Sequence, residues 1–255
     1  MMNALPVIAK RLDDANRSAT ATHQLSDDQH VDAATGYAIQ AMGIELRQQR
    51  GERIVGVKMG LTSRAKMEQV GVDEVTWGRL TDAMRREEGG TLVRTDFIHP
   101  RAEPEIAFVL NRRLTGEVSM AEAALAIEAV TPAIEIIDSR YENFKFSLGD
   151  VVADNSSSAA FFIGSYARPD VDITNLGMVL SIDGMPREVG SSAAILGHPL
   201  RALVAAARMT ARAGHVLEPG DIVLAGAATA AVPLTPGMQV EVEVQDIGRV
   251  RFDVS

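Results

Sequence analysis

Glu103-Pro104-Glu105-Ile106-Ala107-Phe108-Val109-Leu110 and, further along, Ala133-Ile134-Glu135-Ile136-Ile137-Asp138 are the stretches whose reading decides the fold. Side chains on a strand alternate between faces, so Glu103 and Glu105 share one face while Ile106, Phe108 and Leu110 share the other. The apolar face belongs in a core. Two like charges on the opposite face are tolerable in water or around a cation. Between the stretches, Ser119-Met120-Ala121-Glu122 has the form of a capping box and opens an Ala-rich helix through Val130, which Pro132 helps to close. In the second stretch Glu135 interrupts an apolar run, and an acid placed there needs a partner when buried. A strand-helix-strand unit lays it beside the first two acids. Three carboxylates with no Cys or His at ligand spacing suit a hard divalent ion such as magnesium or manganese, with water or substrate completing an octahedron. These residues alone leave a second reading open, in which Glu103 and Glu105 are the solvated face of an edge strand.

The chain has 255 residues, 46% of them hydrophobic, enough for one substantial core and a small accessory region. A net charge of −9 argues against a nucleic-acid partner, because nothing offsets phosphate repulsion. The lack of Cys removes disulfides, thiolate metal sites and a Cys nucleophile, and fits a reducing compartment. Without a signal-peptide pattern or an apolar span of bilayer length, the expectation is a cytoplasmic protein with no membrane association.

Working outward from the acids, the chain divides into a helical region over 1–52 and a mixed β-roll catalytic domain over 53–255, an α+β architecture. Helices are expected over 4–17 and 28–49. Ser26, with Gln29 three residues on, caps the second, and Val31, Ala34, Ala38, Ala41, Met42 and Leu46 form its packing stripe. Next, Lys58 stands in mid-strand with glycines on both sides. It is either a proton donor or anion partner in a desolvated site, or a side chain that snorkels or pairs with a structural acid. Residues 63–70 read as a short helix, Trp77 as core or pocket wall, and the charged, Gly-bearing segment 82–97 as a mobile loop over whatever the acids bind.

Asp154-Asn155-Ser156-Ser157-Ser158 offers amide and hydroxyl groups just before an apolar strand. They serve either a small carboxylated ligand or ordinary turn and cap chemistry. The last third is β-rich: a hairpin about Asp183-Gly184, one helix opened by His198-Pro199 and closed by Gly214, a small-residue run over 225–232, and a terminal hairpin in which Val240, Val242 and Val244 face Val250, Phe252 and Val254. No Gly-rich dinucleotide or phosphate loop is present, so a nucleotide cofactor has no support.

Lys58-Met59-Gly60-Leu61-Thr62-Ser63, Trp77-Gly78-Arg79-Leu80-Thr81-Asp82, His99-Pro100-Arg101-Ala102-Glu103-Pro104-Glu105, Pro132-Ala133-Ile134-Glu135 and Asp154-Asn155, in that order, resemble the hydratase and decarboxylase branch of the fumarylacetoacetate hydrolase superfamily. The resemblance implies a mixed β-roll with an N-terminal helical region, and Mg2+ or Mn2+ held by Glu103, Glu105 and Glu135. It makes Lys58 the catalytic lysine and puts substrate contacts at Leu61, Trp77, Asn155, Ser157 and Ser158. Hydratases of the branch tend to carry an Asp before the aromatic-Gly pair, where Thr76 stands here, and the run ending Thr229-Ala230-Ala231-Val232 also resembles the decarboxylase form. The activity implied is therefore metal-dependent decarboxylation of the dicarboxylate oxo-acid 2-oxo-3-hexenedioate in catechol meta-cleavage. The alternatives are hydration of 2-hydroxypenta-2,4-dienoate, hydrolysis of an acylpyruvate, or an inactive structural partner. The resemblance further implies a homo-oligomer and a complex with the hydratase that takes the product.

Overall fold

The structure, a computed structural model, describes residues 4–27, 31–63, 67 and 74–255. It opens with α1 (Leu5–Ser18) and α2 (Ala33–Gln49). Asp32, not Ser26, caps α2 by accepting from the Thr35 N–H at 2.8 Å. Ser26 is engaged elsewhere, donating to the Asp150 carboxylate through its hydroxyl (2.6 Å) and its N–H (3.0 Å), and Gln29 lies outside the described residues. The buried side of α2 also differs from the expected stripe, running through Gly36, Ile39, Gln40 and Ile44. Gly36 is the reason: a Cβ there would lie 2.7 Å from the Gly149 carbonyl, so only this face lets the helix close onto residues 149–152. At that contact Gln40 donates to the carbonyls of Trp77 and Val152, each at 3.1 Å.

The strands are β1 (Ile54–Gly60), β2 (Thr76–Thr81), β3 (Thr91–Leu92), β4 (Arg101–Leu110), β5 (Ile127–Ile137), β6 (Ser158–Ile163), β7 (Gly177–Ile182), β8 (Met185–Ser191), β9 (Ile222–Leu224), β10 (Val232–Pro233), β11 (Gln239–Val244) and β12 (Gly248–Val254). Among the described residues, α3 (Met120–Leu125), α4 (Leu148–Ala153) and α5 (Leu200–Arg212) interrupt them. The main sheet has the order β2-β1-β9-β4-β5-β6, with β10 on β4, and the second sheet the order β3-β12-β11-β7-β8. The main sheet curls into a half-barrel. Its edges come together where the Arg86 N–H, just past β2, donates to the Phe161 carbonyl of β6 at 2.9 Å. The second sheet covers the outside, with Phe162 of β6 stacked on Phe252 of β12 at 4.3 Å between centroids. Ile106, Phe108 and Leu110 of β4 join this outer core with Ile134, Val240 and Val242. A one-residue slip of β4 would exchange those side chains for its acids, which fixes the register.

Two expectations about connections are overturned. α3 ends at Leu125 and β5 begins at Ile127, so Pro132 lies inside a strand, where its carbonyl accepts from the Gly164 N–H at 2.9 Å. The β-branched Ile127, Val130 and Thr131 favour the strand over a continued helix. Segment 82–97 does not overlie the acids: β3 pairs in parallel with β12, the Arg94 N–H donates to the Ser255 carbonyl at 2.8 Å, and its guanidinium clasps the carbonyls of Phe97, Ile98 and Leu234. The expected helix over 63–70 lies largely outside the described residues. The two late hairpins and α5 stand where the sequence puts them, with the Pro199 cap and the left-handed Gly214 at the ends of α5.

Candidate active site

The half-barrel turns the polar face of β4 into an interior. Register places Glu103 opposite Glu135 and Glu105 opposite Ala133 across β4 and β5, while Lys58 arrives from β1 through the β9 bridge, level with Leu224 and hence with Ala107. One oxygen from each of Glu103, Glu105 and Glu135 lies within 4.8 Å of the others. Glu105 and Glu135 are 0% exposed and Glu103 only 7%, so the solvated-edge reading does not hold. Lys58 Nζ lies 2.9 Å from Glu135 Oε2 and donates to the Ser156 carbonyl at 3.1 Å.

The electrostatics follow from this burial. Burial alone would lower the Lys58 pKa, but Glu135, Glu103 and Glu105 together outweigh it and raise it. Burial pushes the Glu105 carboxyl well above its usual range, neighbouring Glu135 adds to the shift, and Lys58 opposes it. Glu135 is raised by burial as well, against the pull of Lys58. Glu105 Oε2 accepts from the Gly226 N–H at 2.7 Å, whereas its buried Oε1 has no protein hydrogen-bond partner. Only glycine serves at 226, where φ is +104° and a Cβ would lie 2.2 Å from Thr62 Oγ1. Three carboxylates and one ammonium leave a formal charge of −2, which one divalent cation cancels. An all-oxygen donor set and an orphaned carboxylate oxygen fit a hard ion.

The acids open into a cavity of about 560 Å³ whose lining includes Lys58, Leu61, Thr76, Arg101, Glu103, Phe144, Lys145, Phe146, Ser156 and Ser157. Ser157 comes from a turn in which Asn155, Ser156 and Ser157 all have left-handed φ, 50°, 51° and 58°. That conformation costs about 1–2 kcal/mol per non-Gly residue and persists only where surroundings over-determine it. Here the Asn155 amide brackets the Arg79 backbone, accepting from its N–H at 2.8 Å and donating to its carbonyl at 2.9 Å. The Ser156 hydroxyl donates to the Trp77 carbonyl at 3.0 Å, and the buried Arg140 pairs with Asp154 just before the turn. Gly78 permits the approach, since a Cβ there would lie 2.5 Å from the Asn155 carbonyl.

Of the residues picked from sequence, Lys58, Glu103, Glu105, Glu135, Leu61 and Ser157 are brought together. Ser158 is fully buried at the head of β6. The Asn155 side chain is occupied by Arg79. Trp77 is not brought to the acids: it points to the other face of the sheet, stacks on Tyr37 at 5.7 Å between centroids, and lines a separate cavity with Arg79 and His215. Sequence reading missed Arg101, Phe144, Lys145 and Phe146. Arg101 was findable, because it is two residues before Glu103 on the same strand face. Phe144 was not, because it is turned inward by left-handed φ at Asn143 and Phe144, 58° and 57°, which nothing in a run without glycine announces.

A family model described as the fumarylacetoacetate hydrolase C-terminal domain matches residues 54–255. A 4-oxalocrotonate decarboxylase of a Pseudomonas species is 54% identical over 248 residues, 97% of each chain. A 2-keto-4-pentenoate hydratase of Burkholderia vietnamiensis is 38% identical over 255 residues, 98% of this chain and 97% of its own. Among solved structures, the 4-oxalocrotonate decarboxylase of Pseudomonas putida G7, complexed with magnesium and adipate, superposes with a TM-score of 0.97 at 36% identity, covering 100% of this chain and 98% of its own. Sequence, fold and the buried acids thus agree, and the chain belongs to the fumarylacetoacetate hydrolase family as one of its enzymes.

Proposed function

We propose that this enzyme decarboxylates 2-oxo-3-hexenedioate (4-oxalocrotonate) to 2-hydroxypenta-2,4-dienoate, with Mg2+ or Mn2+ held by Glu103, Glu105 and Glu135. One observation carries the choice: the 4-oxalocrotonate decarboxylase relative is 54% identical over 97% of each chain, against 38% for the hydratase, and Thr76 occupies the cavity wall beside Lys58. Hydration and hydrolysis both require a base that activates water. Loss of carbon dioxide does not. A divalent ion in this site supplies Lewis-acid polarisation of the 2-oxo group.

The chain's own groups do the rest. The C5–C6 bond breaks, its electron pair forms C4=C5, the C3=C4 pair moves to C2=C3, and negative charge collects on the C2 oxygen. Lys58, kept protonated by its carboxylate neighbours, presents an ammonium to that charge and supplies the proton that completes the dienol. Leu61, Phe144, Phe146 and Val151 wall the cavity with apolar surface that disfavours a solvated carboxylate. The sister hydratase reaction is the second reading, favoured by the 38% identical relative of that name. Homo-oligomerisation, a complex with the product-consuming hydratase and a cytoplasmic location belong to the same proposal. Light scattering of the chain alone and mixed with the hydratase tests the first two. Among the described residues no helix is long and apolar enough to cross a membrane.

The deciding experiment follows carbon dioxide release from 2-oxo-3-hexenedioate with magnesium, with chelator, and with Glu105→Gln. Metal-dependent release that the variant abolishes supports the proposal. Hydration of 2-hydroxypenta-2,4-dienoate without release moves the assignment to the hydratase.

A further inference from the structure

We infer that Arg101 is the specificity determinant for a second carboxylate, binding the far end of a six-carbon dicarboxylate whose 2-oxo end lies at the acid triad. The inference rests on the proposed reaction for its substrate, but its geometry is independent of it. Glu105, Glu103 and Arg101 are alternate residues of β4 and so share one face, with Arg101 outermost. Two residues of strand span about 6.7 Å. An extended six-carbon chain measures about 6 Å from end to end. The Arg101 backbone therefore stands about one substrate length along β4 from that of Glu103, and both side chains line the same cavity.

Its chemistry fits as well. Among the described residues Arg101 has no carboxylate partner, and its guanidinium carbon lies over the Phe144 ring at 4.2 Å from the centroid. That cation–π contact holds a planar fork of donors at the apolar wall, and such a fork recognises a carboxylate through two parallel hydrogen bonds. Lys145, another cation lining this cavity, is exposed and stands over no ring among the described residues. A monocarboxylate of five carbons, such as the hydratase substrate, has nothing to offer Arg101.

The position of the charge determines which rate constant responds. The far carboxylate is the group lost as neutral carbon dioxide, so a cation there stabilises bound substrate more than the transition state. Arg101 contributes affinity and selectivity, not acceleration.

The test uses magnesium-loaded enzyme, with Arg101→Met, which keeps length and contact with Phe144, and Arg101→Lys. Steady-state turnover of 2-oxo-3-hexenedioate is measured alongside calorimetric binding of adipate and pentanoate. Arg101→Met is expected to raise KM about tenfold or more with kcat unchanged or higher, and to erase the preference for adipate over pentanoate. Arg101→Lys is expected to keep part of that preference. An unchanged KM, a fall in kcat alone, or an undiminished preference for adipate in Arg101→Met overturns the inference. If native enzyme releases no carbon dioxide yet Arg101→Met loses the adipate preference, the reaction is wrong and the subsite stands. If native enzyme releases carbon dioxide and the preference survives substitution, the subsite is wrong and the reaction stands.

Discussion

Lys58 and Glu135, carried by strands that are not neighbours in the sheet, meet at 2.9 Å inside a half-barrel where both are almost wholly buried. The pair joins the acid triad to the cavity. Glu135 belongs to the triad, and Lys58 lines the cavity while donating to the Ser156 carbonyl of the strained turn.

Replacing Lys58 by Met removes that ammonium and leaves Glu135 without a counter-ion. Turnover of 2-oxo-3-hexenedioate should fall by about 10²–10⁴, the usual range for a lost proton donor. Magnesium affinity should persist, because the three carboxylates remain. Unchanged turnover would remove Lys58 from the chemistry.

Magnesium should stabilise the protein more as pH rises. The Glu105 carboxyl titrates well above its ordinary 4.5 in the folded chain, so the stability it contributes without metal is complete below that value and is lost as pH climbs through the folded pKa. The ion needs the ionised form, so its binding tightens over the same interval and releases protons. The magnesium-induced rise in Tm, measured from pH 5 to pH 8, should therefore grow. A constant increment would mean that the carboxyls are already ionised.

Arg140 should be worth more to stability than to chemistry. It is 3% exposed, pairs with Asp154, and donates to the carbonyls of Asp138 (2.6 Å) and Ser158 (3.1 Å). Arg140→Ala leaves a buried carboxylate uncompensated, which costs about 3–5 kcal/mol. The shift of the urea midpoint at unchanged slope measures it. A loss under about 1 kcal/mol would show that the turn is held without this pair.

By itself the sequence determined which side chains share a strand face and which polar groups stand where packing alone does not ask for them. Alternation put Glu103 and Glu105 opposite Ile106 and Phe108, an acid within Ile134–Ile137 demanded a partner, and a mid-strand lysine between glycines marked Lys58. Turn and cap chemistry is local, so the late hairpins and the ends of α5 were legible too. What tertiary structure alone decided is whether the acid face meets water or an interior. That depends on the sheet curling until Arg86 reaches Phe161, a long-range closure with no local signature. The same closure determined that Trp77 points away from the acids, that segment 82–97 is clasped to the C-terminal strand, and that Phe144 brings the Arg101 guanidinium to the cavity wall. Periodicity reports which side chains share a face. Only packing reports what that face looks at.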